Sequence, residues 1–514
     1  MAVSHQWFIQ WSSPPSLFAD INDQFNSVNN WNNAKPDWAW EVTLGNSDKR
    51  YRFPDYTQHV DKSRYGFPDY TQHVDKNRYG FAKQSSSKQN EASRAAGLTL
   101  WLAMLGLARP QSIPADTETP PFSTLYKWKH VDFAFPSPMH RAQALANGKY
   151  IPQNVLPLGL EVWGSRVWVT LPSWRKGVPA TLATVPRAGG LASPSLMPYP
   201  DWSFHRAYND ANNCSGLTSV FRINVDPCGR LWVLDSGQID AQDNPKQICP
   251  PSIVLFDLNT DKIINRFIIP QKYVLQDSLY SNIIVDTRTR DCSDVHVYIA
   301  DTWRFGLLVF REIDARFWRF SHHLFYPDPL ASNYTLHGVN FQWADGIFGL
   351  ALSPINEYQE RILYFHSLSS YREFKVPTSV LRDPSRTNNS HSEFNLVGDS
   401  RGLGGQASAS AIDRRGVMFY GLVSRDSIGC WYTKKPYLKG QTGVIANNPD
   451  TLVFPNDIKV DQDEHQSVWV ISNRLPMFQA GPLDPDDYNY RILFADTKEA
   501  VWGTVCDPEK RSLF

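Results

Sequence analysis

Asp301, Arg304 and His337 are the residues whose types could move a proton. Asp301-Thr302-Trp303-Arg304 puts a carboxylate and a guanidinium three residues apart, at the end of the apolar run Val295–Ala300. A proton shift on a carbon beside a carbonyl needs a base that titrates near neutrality, and a positive group to hold any carboxylate on the substrate. His337 could serve as that base by residue type. A second set is rich in oxygen: Glu161, Asn224, Asn282, Asp345, Ser410, Asn456 and Asp457. Four of these, Glu161, Asn224, Asn282 and Asp457, could in principle converge on one hard cation such as calcium, at about 2.3–2.6 Å. Trp303, Phe341, Trp343 and Phe454 could wall a cavity for an aromatic cation. Each site has a structural competitor. Asp301 matches Asp235 in repeat position, so both could simply cap a strand exit, and each Asn could cap a turn. There is no Ser-His-Asp arrangement, no HExxH and no phosphate-cradling glycine loop. Gly402-Leu403-Gly404-Gly405 precedes a strand pattern and reads as a loop. No motif demands a cofactor or a metal.

The elements that carry these residues repeat. In FRINVDPCGRLWVLDSG, Phe221–Gly237, two apolar-alternating runs flank a Pro/Gly turn, which predicts a β-hairpin. Similar units begin at Leu158, Ser281, Gly346, Ser408 and Asn456, giving six copies. Asp226, Asp286, Asp413 and Asp461 stand at the turn entry, where an Asp can accept from the backbone two residues on. One hairpin cannot bury both of its faces, so repeats at a steady interval stack. The reading is an all-β fold, a six-bladed β-propeller. A string of sandwiches is the rival, but no Ser-, Gly- or charge-rich linker separates the copies. Inner strands of such a ring line a central channel, and period-two alternation places the oxygen-rich set there. Lys127–Phe135 is expected to close the ring by pairing in the last blade. Met139–Asn147 has a helical pattern that ends at Gly148.

The N-terminal side is different. Residues 1–93 are polar, and FPDYTQHVDK occurs twice, at Phe53–Lys62 and Phe67–Lys76. They read as a largely disordered extension carrying a tandem duplication. Residues 94–108, Arg94 followed by AAGLTLWLAMLGLA, are too short for a comfortable membrane span and resemble a secretory signal. They lie far from the start of the chain, which places the segment before them upstream of the mature protein; an internal signal anchor is the competing account. A Pro-rich linker occupies 109–124, and the propeller 125–510.

Composition sets limits on partners and compartment. The 514 residues are 42% apolar with 18 Trp, enough for a large core. Lys+Arg and Asp+Glu are 51 each, so no charge excess invites nucleic acid. The six cysteines, Cys214, Cys228, Cys249, Cys292, Cys430 and Cys506, fit three disulfides, with fifteen pairings open. Sequons at Asn213, Asn333 and Asn388 accord with a secreted, extracellular glycoprotein.

From about Trp128 to Cys506 the chain resembles the yellow/major royal jelly protein family of insects. The matching stretches are long and ordered: GKYIPQNVLPLGLEVWGSRVWVTLPSWRKGVPATL, CGRLWVLDSG, QICPPSIVLFDL, VYIADTWRFGLLVF, GCWYTKKPY and VWVISNRLP. Residues 1–93 fall outside the resemblance. It implies a secreted six-bladed propeller. It also implies a role in melanin pigmentation and cuticle maturation, dopachrome conversion, binding of biogenic amines, or nutritive storage. Expected partners are therefore a small catechol or biogenic amine and the cuticle or extracellular matrix, without nucleic acid. In amine-binding relatives the contacts come from the last blade, and Asn456, Asp457, Asn473 and Leu475 are the similar positions here. The resemblance leaves open whether the protein is an enzyme, an amine carrier or a non-catalytic structural or storage propeller. A calcium-dependent lactonase is the more distant alternative.

Overall fold

The computed structural model describes residues 118–189, 192–205, 207, 214–241 and 244–509. The expected extension, its duplication, the signal-like segment, most of the linker and the sequon at Asn213 lie outside the described residues.

The six hairpin copies become the inner strand pairs of six blades. Blade one runs Gly159–Trp163, Arg166–Thr170, Leu182–Pro186 and Met197–Pro198. Blade two runs Val220–Val225, Arg230–Asp235, Ser252–Asp257 and Lys262–Ile268. Blade three runs Tyr280–Thr287, Val295–Asp301, Gly306–Arg311 and Arg316–Ser321. Blade four begins with Ile347–Leu352 and Ile362–Ser367, blade five with Ala407–Ile412 and Val417–Leu422, and blade six with Pro455–Val460 and Ser467–Ser472. All strand neighbours within a blade are antiparallel.

Blade six is completed from the other end of the described chain. Its third strand, Tyr490–Asp496, pairs with Phe122–Trp128, and Glu118–Thr119 extends that edge. The closing strand therefore starts at Phe122 rather than at Lys127, as the sequence reading expected. The cause is visible in burial: Phe122, Tyr126 and Trp128 all turn into the core, and the Trp128 indole donates to Pro194 O at 2.8 Å. Past Trp128 the chain leaves the sheet, and Phe133 packs with Tyr150 beneath the helix Pro138–Ala146. That helix ends as expected, at a C-cap Asn147 followed by Gly148 with φ +73°.

The turn aspartates do more than close turns. Asp226 accepts from Cys228 N at 3.0 Å and Asp413 from Arg415 N at 3.0 Å, the expected bond two residues on. Asp461 instead reaches Ser467 N, and it also holds the Trp469 indole at 2.9 Å. Asp226 holds the Trp232 indole at 2.9 Å and Asp286 the Tyr298 hydroxyl at 3.1 Å. A buried aromatic on the second strand is thus tied to the first in three blades, so its polar edge is not left unsatisfied.

The six cysteines pair as Cys214–Cys249, Cys228–Cys292 and Cys430–Cys506. The second joins the inner turns of blades two and three. The third ties blade five to the segment that follows blade six. No helix of the described residues is long and apolar enough to cross a membrane.

Candidate functional site

The channel has two chambers and a plugged waist. Arg222 fills the waist. It stands in the middle of the apolar strand Val220–Val225 and is fully buried. Its Nη1 pairs with Asp457 Oδ1 at 2.5 Å, and its Nη2 donates to Asn456 Oδ1 at 2.6 Å and to Asn456 O at 2.8 Å. Burial pulls the Arg222 pKa down, and the Asp457 carboxylate opposes that. Asp457 also accepts from Leu160 N at 3.0 Å, so blades one, two and six meet here. Gly159 makes room: a Cβ there would lie 2.9 Å from Thr170 Oγ1 and 3.1 Å from Asp457 Oδ2.

One chamber is polar, about 170 Å³, and takes Glu161, Asn224, Asn282, Ser410, Asp457 and Lys459. The oxygens that could have held a hard cation are committed elsewhere. Glu161 Oε2 accepts from Asn224 Nδ2 at 3.0 Å and lies 3.9 Å from Lys459 Nζ. Asn224 Oδ1 accepts from Val285 N and Asn282 Oδ1 from Ile283 N, each at 2.9 Å. Asp457 is held by Arg222, so among the described residues these oxygens are arranged around backbone donors and the cations Arg222 and Lys459. Burial raises the Glu161 pKa, and Lys459 works against that rise.

The other chamber is about 220 Å³, and its walls are aromatic: Trp174, Phe221, Trp303, Trp343, Phe348 and Phe454. This is below the roughly 300 Å³ at which sites for drug-sized ligands begin, which suits one small bicyclic ring. Trp343 meets Phe454 edge-on, with ring centroids 5.9 Å apart at 88°. Of the four rings expected as walls, Trp303, Trp343 and Phe454 line the chamber. Phe341 stands behind them, stacked on Tyr334 at 4.9 Å and 4.5 Å from Trp343.

Among the described residues, Asp345 is the one ionisable side chain lining this chamber. It sits just before the inner strand of blade four, with its backbone fixed by Ser369: Asp345 N donates to Ser369 Oγ at 3.3 Å and Ser369 N to Asp345 O at 3.1 Å. Next to it, Gly346 packs so closely that a Cβ would lie 2.4 Å from Phe305 and 2.6 Å from Phe325 O. The surrounding apolar rings push the Asp345 carboxyl up to about 6, against the pull of the Trp303 indole N–H, which it accepts at 3.1 Å. Among the described residues no lysine, arginine or histidine lines the chamber.

The proton-moving candidates lie elsewhere. Asp301 is fully buried and accepts from Arg319 Nη1 at 2.8 Å, Ser278 Oγ at 2.7 Å and Leu279 N at 3.0 Å. Its twin Asp235 accepts from Thr218 N and Ser219 N, each at 2.9 Å, so both carboxylates cap the segment entering their blade. Arg304 turns outward to Asp277 at 2.8 Å. His337 sits at the tip of the hairpin Asn333–Leu336/Val339–Gln342, with φ +46°, and pairs with Asp426 at 3.0 Å. The three share no cavity, because strand capping takes the first and surface ion pairs take the others. The last-blade positions also divide: Asn456 and Leu475 line the aromatic chamber, Asp457 the polar one. Asn473 lines neither; it donates to Pro157 O at 3.0 Å and accepts from Leu475 N at 3.3 Å. Arg222 escaped the sequence reading, although a lone arginine interrupting FRINV was a signal. Alternation alone puts Asp345 at the channel, but its raised pKa depends on rings from other blades. The Asn333 and Asn388 side chains of two sequons are exposed, whereas Tyr334 and Ser390 within them are buried.

Fold and site together define a β-propeller with a small, aromatic-walled channel chamber in which Asp345 is, among the described residues, the one carboxyl group. A sequence profile of the major royal jelly protein family matches residues 218–506. The chain is 44% identical over 391 residues to a protein named dopaminechrome tautomerase from Drosophila melanogaster, covering 75% of this chain and 84% of that one. It is 41% identical over 385 residues to protein yellow of Drosophila melanogaster, covering 74% of this chain and 70% of that one. Protein yellow of Drosophila erecta is 40% identical over the same length, with the same two shares. The chain belongs to the major royal jelly protein family.

Proposed function

We propose that this protein is secreted and acts in the melanin pathway, binding an aminochrome that carries no carboxylate and catalysing its tautomerisation. The reading is carried by Asp345, which among the described residues is the one ionisable group on the aromatic-walled chamber, its carboxyl pushed up to about 6 by burial. The net reaction moves two protons, one at a time, from carbons of the five-membered ring to the two quinone oxygens, with nothing gained or lost. Asp345 is the base for the first transfer. A pKa of about 6 leaves it ionised at neutral pH yet basic enough to take a carbon-bound proton. The aromatic walls grip the flat ring. A carboxylate-bearing aminochrome would need a cationic partner, and the chamber walls offer none among the described residues. The relative named dopaminechrome tautomerase supports the same class of substrate. Three disulfides suit an oxidising, extracellular compartment. The same chamber suits an amine ligand, with Asp345 accepting the ammonium and the rings supplying cation–π contact.

The test uses the purified protein and the aminochromes of dopamine and L-dopa. Loss of visible aminochrome colour is followed beside calorimetric binding. The expected result is accelerated loss, greater for the dopamine product, abolished by Asp345→Asn. Decay at the uncatalysed rate without binding overturns the proposal. Binding without turnover leaves an amine or aminochrome carrier.

A further inference from the structure

Resting on that reading, we infer that Arg222 is the positioning residue that turns Asn456 into a hydrogen-bond donor for the quinone oxygen. The direction of the amide chain at the chamber floor is fixed from both ends. Arg222 has only donors, so the Asn456 atom it meets at 2.6 Å is the oxygen Oδ1. The Asn456 amide nitrogen is therefore on the other side, 3.5 Å from Asn473 Oδ1. Asn473 in turn gives its own Nδ2 to the carbonyl of Pro157 at 3.0 Å, a partner that can only accept. Neither amide can flip without setting donor against donor or acceptor against acceptor. One hydrogen of Asn456 Nδ2 faces Asn473. Asn456 lines the aromatic chamber, and in this proposal its second N–H is the donor presented to the ligand.

The chemistry gives that N–H a task. When a base removes the ring proton, the electron pair moves onto the conjugated quinone and negative charge grows on an oxygen. A fixed donor aimed at that oxygen lowers the barrier, most strongly where water is excluded. Here the donor is backed by a buried guanidinium, and the guanidinium is held by Asp457 at 2.5 Å. Asp345 on one wall and Asn456 on the floor then divide the work: one takes the proton, the other steadies the charge left behind. Arg222 touches no substrate. It acts through Asn456.

The test compares wild type, Asn456→Asp, and the double variant Arg222→Met/Asp457→Leu, which removes the buried ion pair whole so that no lone charge is left. Folding of each is checked by its melting curve. Asn456→Asp retains a partner for Arg222 but offers the ligand an acceptor in place of a donor. Two readouts are taken: kcat and KM on the dopamine aminochrome, and affinity for isatin, a bicyclic dione, against indoline, which has no oxygen. The expected result is a fall in kcat of about 100-fold or more in both variants, with KM rising only by the factor that isatin affinity falls. Wild type is expected to prefer isatin, and both variants to lose that preference. If wild type binds and turns over aminochrome while both variants keep its kcat and its preference for isatin, Arg222 has no positioning role. If wild type binds neither the aminochrome nor isatin, the functional reading itself falls, and this role with it.

Discussion

Replacing Asp345 by Asn should stabilise the protein at neutral pH while abolishing turnover. The amide can still accept the Trp303 indole N–H, now at 3.1 Å, so packing is preserved. What changes is the charge. Burial lifts the carboxyl from 3.8 to about 6. At 1.36 kcal/mol per unit, a shift of roughly two units corresponds to about 3 kcal/mol. The carboxyl faces a chamber that water can enter, and screening reduces the effect to about 1–2 kcal/mol. The folded state holds this proton more tightly than the unfolded chain does. Between about pH 4 and pH 6 the folded state therefore carries more protons, and wild-type stability falls as pH rises through that window. The Asn variant lacks this loss. Denaturant unfolding at a series of pH values, followed by tryptophan fluorescence, should show the two proteins equal in stability below about pH 4. The variant should pull ahead between about pH 4 and pH 6, by a margin constant above that. Wild-type kcat/KM should rise over the same window and level off. A stability difference that does not change with pH would refute a raised carboxyl at this position, and with it the choice of base.

Arg319→Met should cost about 3–5 kcal/mol, because it strands the buried Asp301 carboxylate that Arg319 meets at 2.8 Å. Thermal melting reads the loss, and the kcat of the protein that remains folded should match wild type if Asp301 only caps its strand. Removing the Cys430–Cys506 bridge with a double Ser variant should lower stability by about 4 kcal/mol, since it closes a loop of 76 residues; calorimetry under oxidising conditions measures it. Trp343→Ala should weaken aminochrome binding about tenfold by removing one wall of the chamber. Titration calorimetry tests this, with near-ultraviolet circular dichroism confirming the fold.

The ring is written in the local chain chemistry. Period-two runs around Pro/Gly turns, repeated at a steady interval, leave few ways to bury both faces of each hairpin. The turn bonds of Asp226 and Asp413, the short helix at Pro138–Ala146 and the oxygen-rich channel positions were legible on that basis. These features depend on local chain chemistry and on alternation, which one dimension records. Ring closure was legible as a need but not in register, because Phe122, Tyr126 and Lys127–Trp128 all fit an edge strand until burial selects among them. The site was legible only in part. Asp301 and Asp345 are both aspartates near strand ends, and nothing local separates them. Tertiary structure gives Asp301 an arginine and three further donors, Ser278 Oγ, Leu279 N and Arg304 N, so it becomes a cap. It gives Asp345 indole and phenyl rings from several blades, so its carboxyl titrates near neutrality. Arg222 shows the same division: its oddness is written in FRINV, but its partners Asn456 and Asp457 lie more than two hundred residues away. Which charge meets which across a closed ring is decided by the closure, and only the assembled propeller contains it.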